Sequence, residues 1–347
     1  MKETLRVGIG RDQQGWHTRF QQVFEAKIRA GWNLEYDLIN FERHDWQKQI
    51  ASRNLILWKP DAMGVKAASF VKEKVYFMEH YLGKLVIPNF NTVWHFESKI
   101  AQSYLFAQYD VPTPETVVSF DYEDARKLLA SAEFPVVIKG SAGAGSQNVK
   151  LYRSSKEAVA ELDRAFSQVL WDKLKARFNN RLMRAIVGTP RSWFRHHLMK
   201  PSEDRRFGAL YLQRYVSGNE ADLRITVIGH SAACSFWRNN RPSDFRASGS
   251  GRLDYQRKTP EDMVRYCMQL NQKLDVDSMA YDLLLSGDRY VITEMSYGYL
   301  DSAVAKTGGY YTQAATGELS FVNKSTWPQE LWAEWALSRA QSAGLLE

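Results

Sequence analysis

No stretch of this sequence reaches the roughly 18 uninterrupted apolar residues that a membrane-spanning helix requires, which excludes a helical membrane protein. Cysteine is almost absent. Cys234 and Cys267 each sit in an apolar pattern and in no metal-like spacing, so a disulfide framework or a zinc site has no support and two reduced core thiols are expected. The histidines, His17, His44, His80, His95, His196, His197 and His230, show no ligand spacing either. His196 and His197 are adjacent, so they point to different sides of a helix or a strand, and structural or surface roles are expected. A P-loop is missing, as are internal repeats and low-complexity segments. Gly8 and Gly10 begin a dinucleotide-type loop that Asp12 and Gln13 do not complete. Met1-Lys2-Glu3-Thr4 leads straight into a strand-like run instead of a signal-peptide core, so a soluble, cytoplasmic protein is expected.

What is present is a chain of 347 residues with 44% hydrophobic content, enough for a large core spread over two or three domains. Its formal charge is +7, and basic residues crowd the segment 171–207. There Lys173, Lys175, Arg177, Arg181, Arg184, Arg191, Arg195, Lys200, Arg205 and Arg206 face only Asp172, Glu203 and Asp204. An anionic partner follows, and charge alone leaves nucleic acid, a membrane surface, an acidic polymer and a nucleotide with an acidic co-substrate all open.

Strand-like runs at 5–9, 55–58 and 85–87 alternate with helical patterns at 19–30 and 65–81, which predicts a small α/β domain with a mostly parallel sheet. A helix over 96–109 ends at Val111-Pro112-Thr113-Pro114, where the first domain hands over. Strands are expected at 117–120, 135–139 and 149–152, with helices at 121–132 and 154–166 and Ser155 as N-cap. Beyond the basic segment come strands at 209–215 and 223–228, the latter paired with 232–237 across Gly229-His230. A helix then starts at Thr259-Pro260-Glu261-Asp262. The runs 279–285 and 290–295 flank Ser286-Gly287-Asp288 as a hairpin, and a helix over 328–346 closes the chain.

Two clusters can carry chemistry, although taken alone the first also reads as a glycine hairpin with a lysine at a strand end and the second as surface carboxylates. The apolar strand ending at Lys139 opens onto Gly140-Ser-Ala-Gly143-Ala-Gly145-Ser146, where small residues let backbone N–H groups approach phosphate oxygens and the lysine adds a point charge. On the hairpin, Glu294 and Ser296 share a face by alternation, and Asp282 reaches the same spot from the paired strand. Two carboxylates and a hydroxyl among apolar residues suit a hard cation such as Mg²⁺ bridging nucleotide phosphates. Between the clusters lie Gln213-Arg214-Tyr215-Val216, then Glu220, Asp222 and Arg224, then Arg238 and Asp244-Phe245-Arg246. The acids can hold ribose hydroxyls, and Arg224, Arg238 and Arg246 can neutralise a transferring phosphoryl group or a substrate anion.

The order of these pieces over residues 95–310 resembles the ATP-grasp superfamily, in particular its ligases that join an amino acid to a carboxylate. The resemblance implies two α+β subdomains clasping ATP, preceded by a small Rossmann-like domain. The expected boundaries are 1–95, 96–216 with the linker and the insertion 171–207, and 217–347 with the C-terminal helix. It implies ATP contacts from Lys99, Lys139, Gly143, Gly145 and Ser146, a hinge at Gln213, Arg214, Tyr215 and Val216, and further nucleotide contacts from Glu220 and Asp222. Arg214 stands where glutamate is usual. Arg246, Arg224 and Arg238 are implied in catalysis, and Asp282, Glu294 and Ser296 in holding one or two Mg²⁺ ions, with Ser296 replacing the family's asparagine. The implied reaction is ATP-dependent amide or peptide bond formation through an acyl phosphate, releasing ADP and phosphate. Its partners are a carboxylate, as a small molecule or a polymer, and an amine; a homodimer is a further expectation. The insertion 171–207 points to an acidic substrate such as a uronic-acid sugar, a polysaccharide fragment or an acidic peptide. Tyr297, Tyr299, Tyr310 and Tyr311, with Gly298, Gly308 and Gly309, resemble ATP-grasp proteins of surface-polysaccharide gene sets. The competing readings are a kinase of the same fold and a non-catalytic module that binds a nucleotide or polyanion, nucleic acid included.

Overall fold

A computed structural model describes residues 4–60, 65–140, 148–177, 208–314 and 316–346, with 65–66 and 168–177 described by their backbone alone. Gly143, Gly145, Ser146 and most of the basic segment, 178–207, lie outside the described residues. The chain forms two compact units, one of Met1–Glu97 with Gly218–Glu347 and one of Ser98–Ser217. Among the described residues no helix is long and apolar enough to cross a membrane.

The first unit begins with β1 (Leu5–Gly10), α1 (Trp16–Arg29), β2 (Leu34–Ile39), α2 (Trp46–Gln49), β3 (Leu55–Leu57), α3 (Val65–His80), β4 (Leu85–Ile87) and α4 (Phe90–Val93). Its four strands are parallel in the order β2-β1-β3-β4. Leu5, Val7, Ile9, Leu55, Ile56 and Leu57 are fully buried, which is why β1 and β3 read as near-continuous apolar runs. The glycine at the end of β1 serves packing, since a Cβ on Gly10 would fall 2.2 Å from the Trp58 ring. In the loop that follows, the Asp12 carboxylate accepts from the backbone N–H groups of Gln14, Trp16 and His17 and so caps α1, which starts three residues before the expected Arg19.

The second unit runs through α5 (Lys99–Gln108), β5 (Thr116–Ser119), α6 (Tyr122–Ser131), β6 (Val136–Lys139), β7 (Val149–Tyr152), α7 (Ser155–Arg177) and β8 (Leu210–Arg214). Its sheet is antiparallel in the order β5-β8-β6-β7. Ala125 and Leu129 of α6 and Ala158, Leu162 and Phe166 of α7 pack with Val136, Ile138, Leu210 and Leu212 to form its core. Ser98 caps α5 by accepting from Ala101 N at 3.2 Å, so this helix begins later than the expected 96. The helix α7 is capped by Ser154, which accepts from Glu157 N at 3.4 Å, and not by Ser155. It continues to Arg177, well past the expected 166 and into the basic segment.

The first unit resumes with β9 (Ala221–Ile228), β10 (Ala232–Asn239), β11 (Leu253–Asp254), α8 (Glu261–Lys273), β12 (Ser278–Ser286), β13 (Arg289–Ser296), α9 (Asp301–Ala305), β14 (Tyr310–Gln313), β15 (Leu319–Val322) and α10 (Pro328–Ser342). Six strands form an antiparallel path β13-β12-β9-β10-β14-β15, and β11 pairs with β10. Trp16, Phe20 and Phe24 of α1 pack with Trp332, Ala333, Ala336 and Leu337 of α10 and with Ile228, Ala280 and Tyr299, so the two sequence segments of this unit share one core. Tyr297 and Tyr299 are 1% and 4% exposed and belong to the interior, while Tyr310 and Tyr311 are half-buried on β14. Both cysteines are unbridged and buried, and burial pushes the Cys234 thiol up to about 12.

Candidate active site

Four adjacent strands of the seven-stranded sheet carry most of the acids and arginines singled out above. On β9, Asp222 and Arg224 are two residues apart and share a face. Because β9 lies between β12 and β10, it brings together residues far apart in sequence: Arg238 of β10 stands opposite Asp222, and Asp282 of β12 opposite Arg224. Arg224 donates Nε and Nη2 to the two oxygens of Asp282 at 2.8 and 2.9 Å. Arg238 does the same to Asp222 at 2.7 and 2.5 Å, and its Nη2 also lies 2.7 Å from Asp282 Oδ2. The fork of each guanidinium matches the paired oxygens of a carboxylate, so the two arginines hold the acids in fixed orientations.

On the far side of β12, Glu294 of β13 is the register partner of Asp282, and Ser296 that of Ala280. The ladder is interrupted directly after Asp282, where Leu283 pairs with Ile292 and Thr293 is left over as a bulge. The Thr293 hydroxyl donates to Asp282 O at 3.2 Å. A bulge bends its strand and re-aims the side chains beside it, and this one sits at the Asp282/Glu294 pair. Nothing in the sequence marked Thr293, because a bulge is a property of the pairing. Asn219 was missed for the same reason: its side chain exchanges two hydrogen bonds with the Leu285 backbone, both 2.9 Å, and ties the approach to β9 onto β12.

Electrostatically the four residues form a neutral, largely buried cluster, with Arg238 and Asp282 both 5% exposed. Burial alone would push the Asp282 carboxyl up, but the charges and hydrogen bonds of Arg224 and Arg238 outweigh it and hold the group below the ordinary carboxylate range. Burial likewise acts against the charged form of Arg238, and Asp282 and Asp222 more than restore it. Arg246 is in the loop after β10, where it grips Asp244 by Nε at 2.9 Å and by Nη2 at 2.6 Å. Glu220 is exposed just ahead of β9.

The second unit carries the remaining expected residues. Lys139 ends β6 with 8% exposure, its ammonium 5.8 Å from the centre of the Tyr211 ring, and Lys99 is 6% exposed in the first turn of α5. A hydrogen bond from Gly140 N to Asn148 O at 2.8 Å closes the base of the glycine-rich loop. Gln213 is 4% exposed and donates to Thr116 Oγ1 at 2.9 Å, so its side chain serves the β5–β8 pair. Arg214 is exposed, and Tyr215 and Val216 are half-buried just past β8.

The donor set of β12 and β13 fits a hard divalent cation, which favours oxygen ligands and tolerates a site completed by substrate oxygens and water. Among the described residues no group of three or more His, Cys, Asp and Glu is placed to hold a metal ion. Asp282 and Glu294 face each other as register partners on β12 and β13, and Ser296 follows two residues after Glu294.

A model of the RimK-like ATP-grasp domain matches residues 97–189. Over that segment, and in its fold, the chain is similar to ATP-grasp carboxylate–amine ligases. Among its relatives, the alpha-aminoadipate–LysW ligase LysX of Saccharolobus solfataricus is 22% identical over 221 residues, which are 63% of this chain and 68% of that protein. The crystal structure of a RimK domain ATP-grasp protein from Sphaerobacter thermophilus superposes with a TM-score of 0.55 at 15% identity, covering 96% of this chain and 99% of that one. A RiPP-associated ATP-grasp ligase of Chryseobacterium gregarium, in complex with ADP and a leader and core peptide, superposes with a TM-score of 0.58 at 12% identity over 97% and 98% of the two chains.

Proposed function

We propose that this protein is an ATP-dependent carboxylate–amine ligase, which converts a substrate carboxylate into an acyl phosphate and joins it to an amine with release of ADP and phosphate. The observation that carries this reading is the row Arg238, Asp222, Arg224, Asp282 and Glu294 across four neighbouring strands, which collects paired carboxylates and two phosphate-competent arginines on one face. Asp282, Glu294 and Ser296 would hold magnesium, one ion or two. A divalent cation held there would supply positive charge to the polyphosphate oxygens. Arg224, Arg238 and Arg246 disperse charge on the transferring phosphoryl group, and Lys99 and Lys139 bind phosphate. The substrate carboxylate forms an O–P bond as the γ-phosphoryl leaves ADP. The amine then forms the C–N bond as phosphate departs with the carboxylate oxygen, and the amine loses a proton. The basic composition of 171–207 supports an acidic carboxylate donor or acceptor; one relative is named as an alpha-aminoadipate–LysW ligase, and one structural neighbour is a ligase in complex with a leader and core peptide. The need for ATP supports a cytoplasmic setting.

Phosphate release from Mg-ATP against crossed panels of amino acids and acidic acceptors tests this reading. A ligase releases phosphate only when acid and amine are both present. A kinase keeps the phosphate on its product, and a binding module shows no substrate-dependent turnover. With the productive pair, Glu294→Gln and Lys139→Ala are each expected to lower kcat by about 100-fold or more. Unchanged turnover in both would refute the site.

A further inference from the structure

Asp282 is held in a way that conflicts with metal binding. Both of its oxygens accept from Arg224, at 2.8 and 2.9 Å, and Arg238 Nη2 approaches Oδ2 at 2.7 Å. A divalent cation brought to these oxygens would meet two guanidinium charges, whose repulsion offsets the attraction of the carboxylate in a site this buried. The arginines cannot simply be turned aside, because a buried charge stripped of its partner is strongly disfavoured. Something must replace Asp282 as their counter-charge.

Polyphosphate has the required chemistry. It presents the same paired oxygens to a guanidinium fork as a carboxylate does and carries more negative charge. Arg238 is also anchored independently, by its bidentate pair with the 8%-exposed Asp222, so it keeps one partner while exchanging the other. We propose that Arg224 and Arg238 form a charge latch on Asp282, which keeps this carboxylate from the divalent cation until nucleotide phosphates draw the arginines to themselves. The proposal rests on the ATP-site reading above. Asp222 is on this view a positioning residue for Arg238 and not a nucleotide contact. Metal and nucleotide then bind with positive coupling, and by linkage each raises the affinity for the other by the same factor.

The test is Mn²⁺ binding to the full chain, followed by electron paramagnetic resonance with and without a non-hydrolysable ATP analogue. In the wild-type protein Mn²⁺ alone is expected to bind at least about 10-fold more weakly than Mn²⁺ with the analogue. Arg224→Met should tighten nucleotide-free Mn²⁺ binding by about 10-fold and shrink the coupling by the same factor. Arg224→Lys, which keeps the charge and loses the fork, should fall between. Circular dichroism reports on folding, and the double variant Asp222→Asn/Arg238→Met removes one of the two guanidinium charges on Asp282 together with its own partner, so it should tighten nucleotide-free Mn²⁺ binding in the same direction, by less, if Arg224→Met does not fold. Equal nucleotide-free Mn²⁺ affinity in wild type and every folded variant, with Mn²⁺ and analogue still binding together, overturns the latch and leaves the ATP site standing. No binding of the analogue at any Mn²⁺ concentration overturns both.

Discussion

The Ser296 hydroxyl accepts from Gly298 N at 3.0 Å, closing the turn by which the chain leaves β13. A hydroxyl has two acceptor lone pairs, so one remains for a cation, but its oxygen sits one bond nearer the backbone than an amide carbonyl would. Asparagine could keep the turn, since its side chain also accepts from the N–H two residues on, while offering a longer-reaching ligand. Ser296→Asn is therefore expected to preserve stability and to raise the Mn²⁺ bound with ADP from about one to about two ions per chain. A titration that shows the same stoichiometry in both proteins would mean that position 296 does not limit the second ion.

Among the elements, the turn between β9 and β10 is locked from three sides. Gly229 N donates to Asp277 O at 2.7 Å, Asn271 of α8 donates to Gly229 O at 2.7 Å, and the Trp335 ring of α10 lies where a side chain would go. Gly229 has φ +62°, and a Cβ there would fall 2.7 Å from that ring. Backbone strain and collision act together, so Gly229→Ala is expected to cost about 2 kcal/mol or more, read as a lower urea midpoint. Arg224, the arginine of the site on β9, is five residues back along the strand, about 17 Å away at roughly 3.3 Å per residue, so ATP turnover of the folded fraction should be unchanged. An unaltered midpoint would show that the turn relaxes freely. This hairpin was legible in the sequence because Gly229-His230 interrupts two apolar runs, and the facing of Asp282 and Glu294 was legible across Ser286-Gly287-Asp288. The strand β2 was missed although Leu34-Glu35-Tyr36-Asp37-Leu38 alternates as an edge strand does, its two acids meeting Arg53. The β14–β15 hairpin is short, and its Phe321 stays half-exposed, which leaves little apolar pattern to read. Least legible was which arginine meets which acid. That choice depends on β9 pairing with β12, some fifty residues later in the chain, and no local pattern reports such a pairing.

At the scale of the whole molecule, the first unit is assembled from two segments separated in sequence, and a polar joint accompanies their shared core. The Asp277 carboxylate, just ahead of β12, accepts from Asn89 N at 2.6 Å and from Trp335 Nε1 at 2.7 Å, while its own N–H donates to Thr92 Oγ1 at 2.8 Å. Close by, both oxygens of Glu79 accept from Phe90 N at 3.1 Å. Burial pushes Glu79 up to about 7, opposed by the Phe90 hydrogen bond and by Arg339 and assisted by Asp277 and Asp275. Burial also pushes Asp277 up to about 6, against its two hydrogen bonds and Arg339. Both groups hold a proton more tightly folded than unfolded, where the reference values are 4.5 and 3.8. Their contribution is therefore most favourable at low pH and is lost as pH rises from about 4 to about 7. Glu79→Gln removes the ionisation and keeps one acceptor for Phe90 N. It should leave stability unchanged near pH 4.5 and raise it at pH 8 by on the order of 1 kcal/mol, a value discounted for the solvent that reaches this half-buried group. Asp277→Asn should not do the same, because both carboxylate oxygens accept from N–H donors and an amide must turn its own N–H toward one of them. Urea midpoints of the wild type and the two variants between pH 4.5 and 8 decide the matter: parallel curves for wild type and Glu79→Gln would mean that Glu79 ionises in the folded chain without cost.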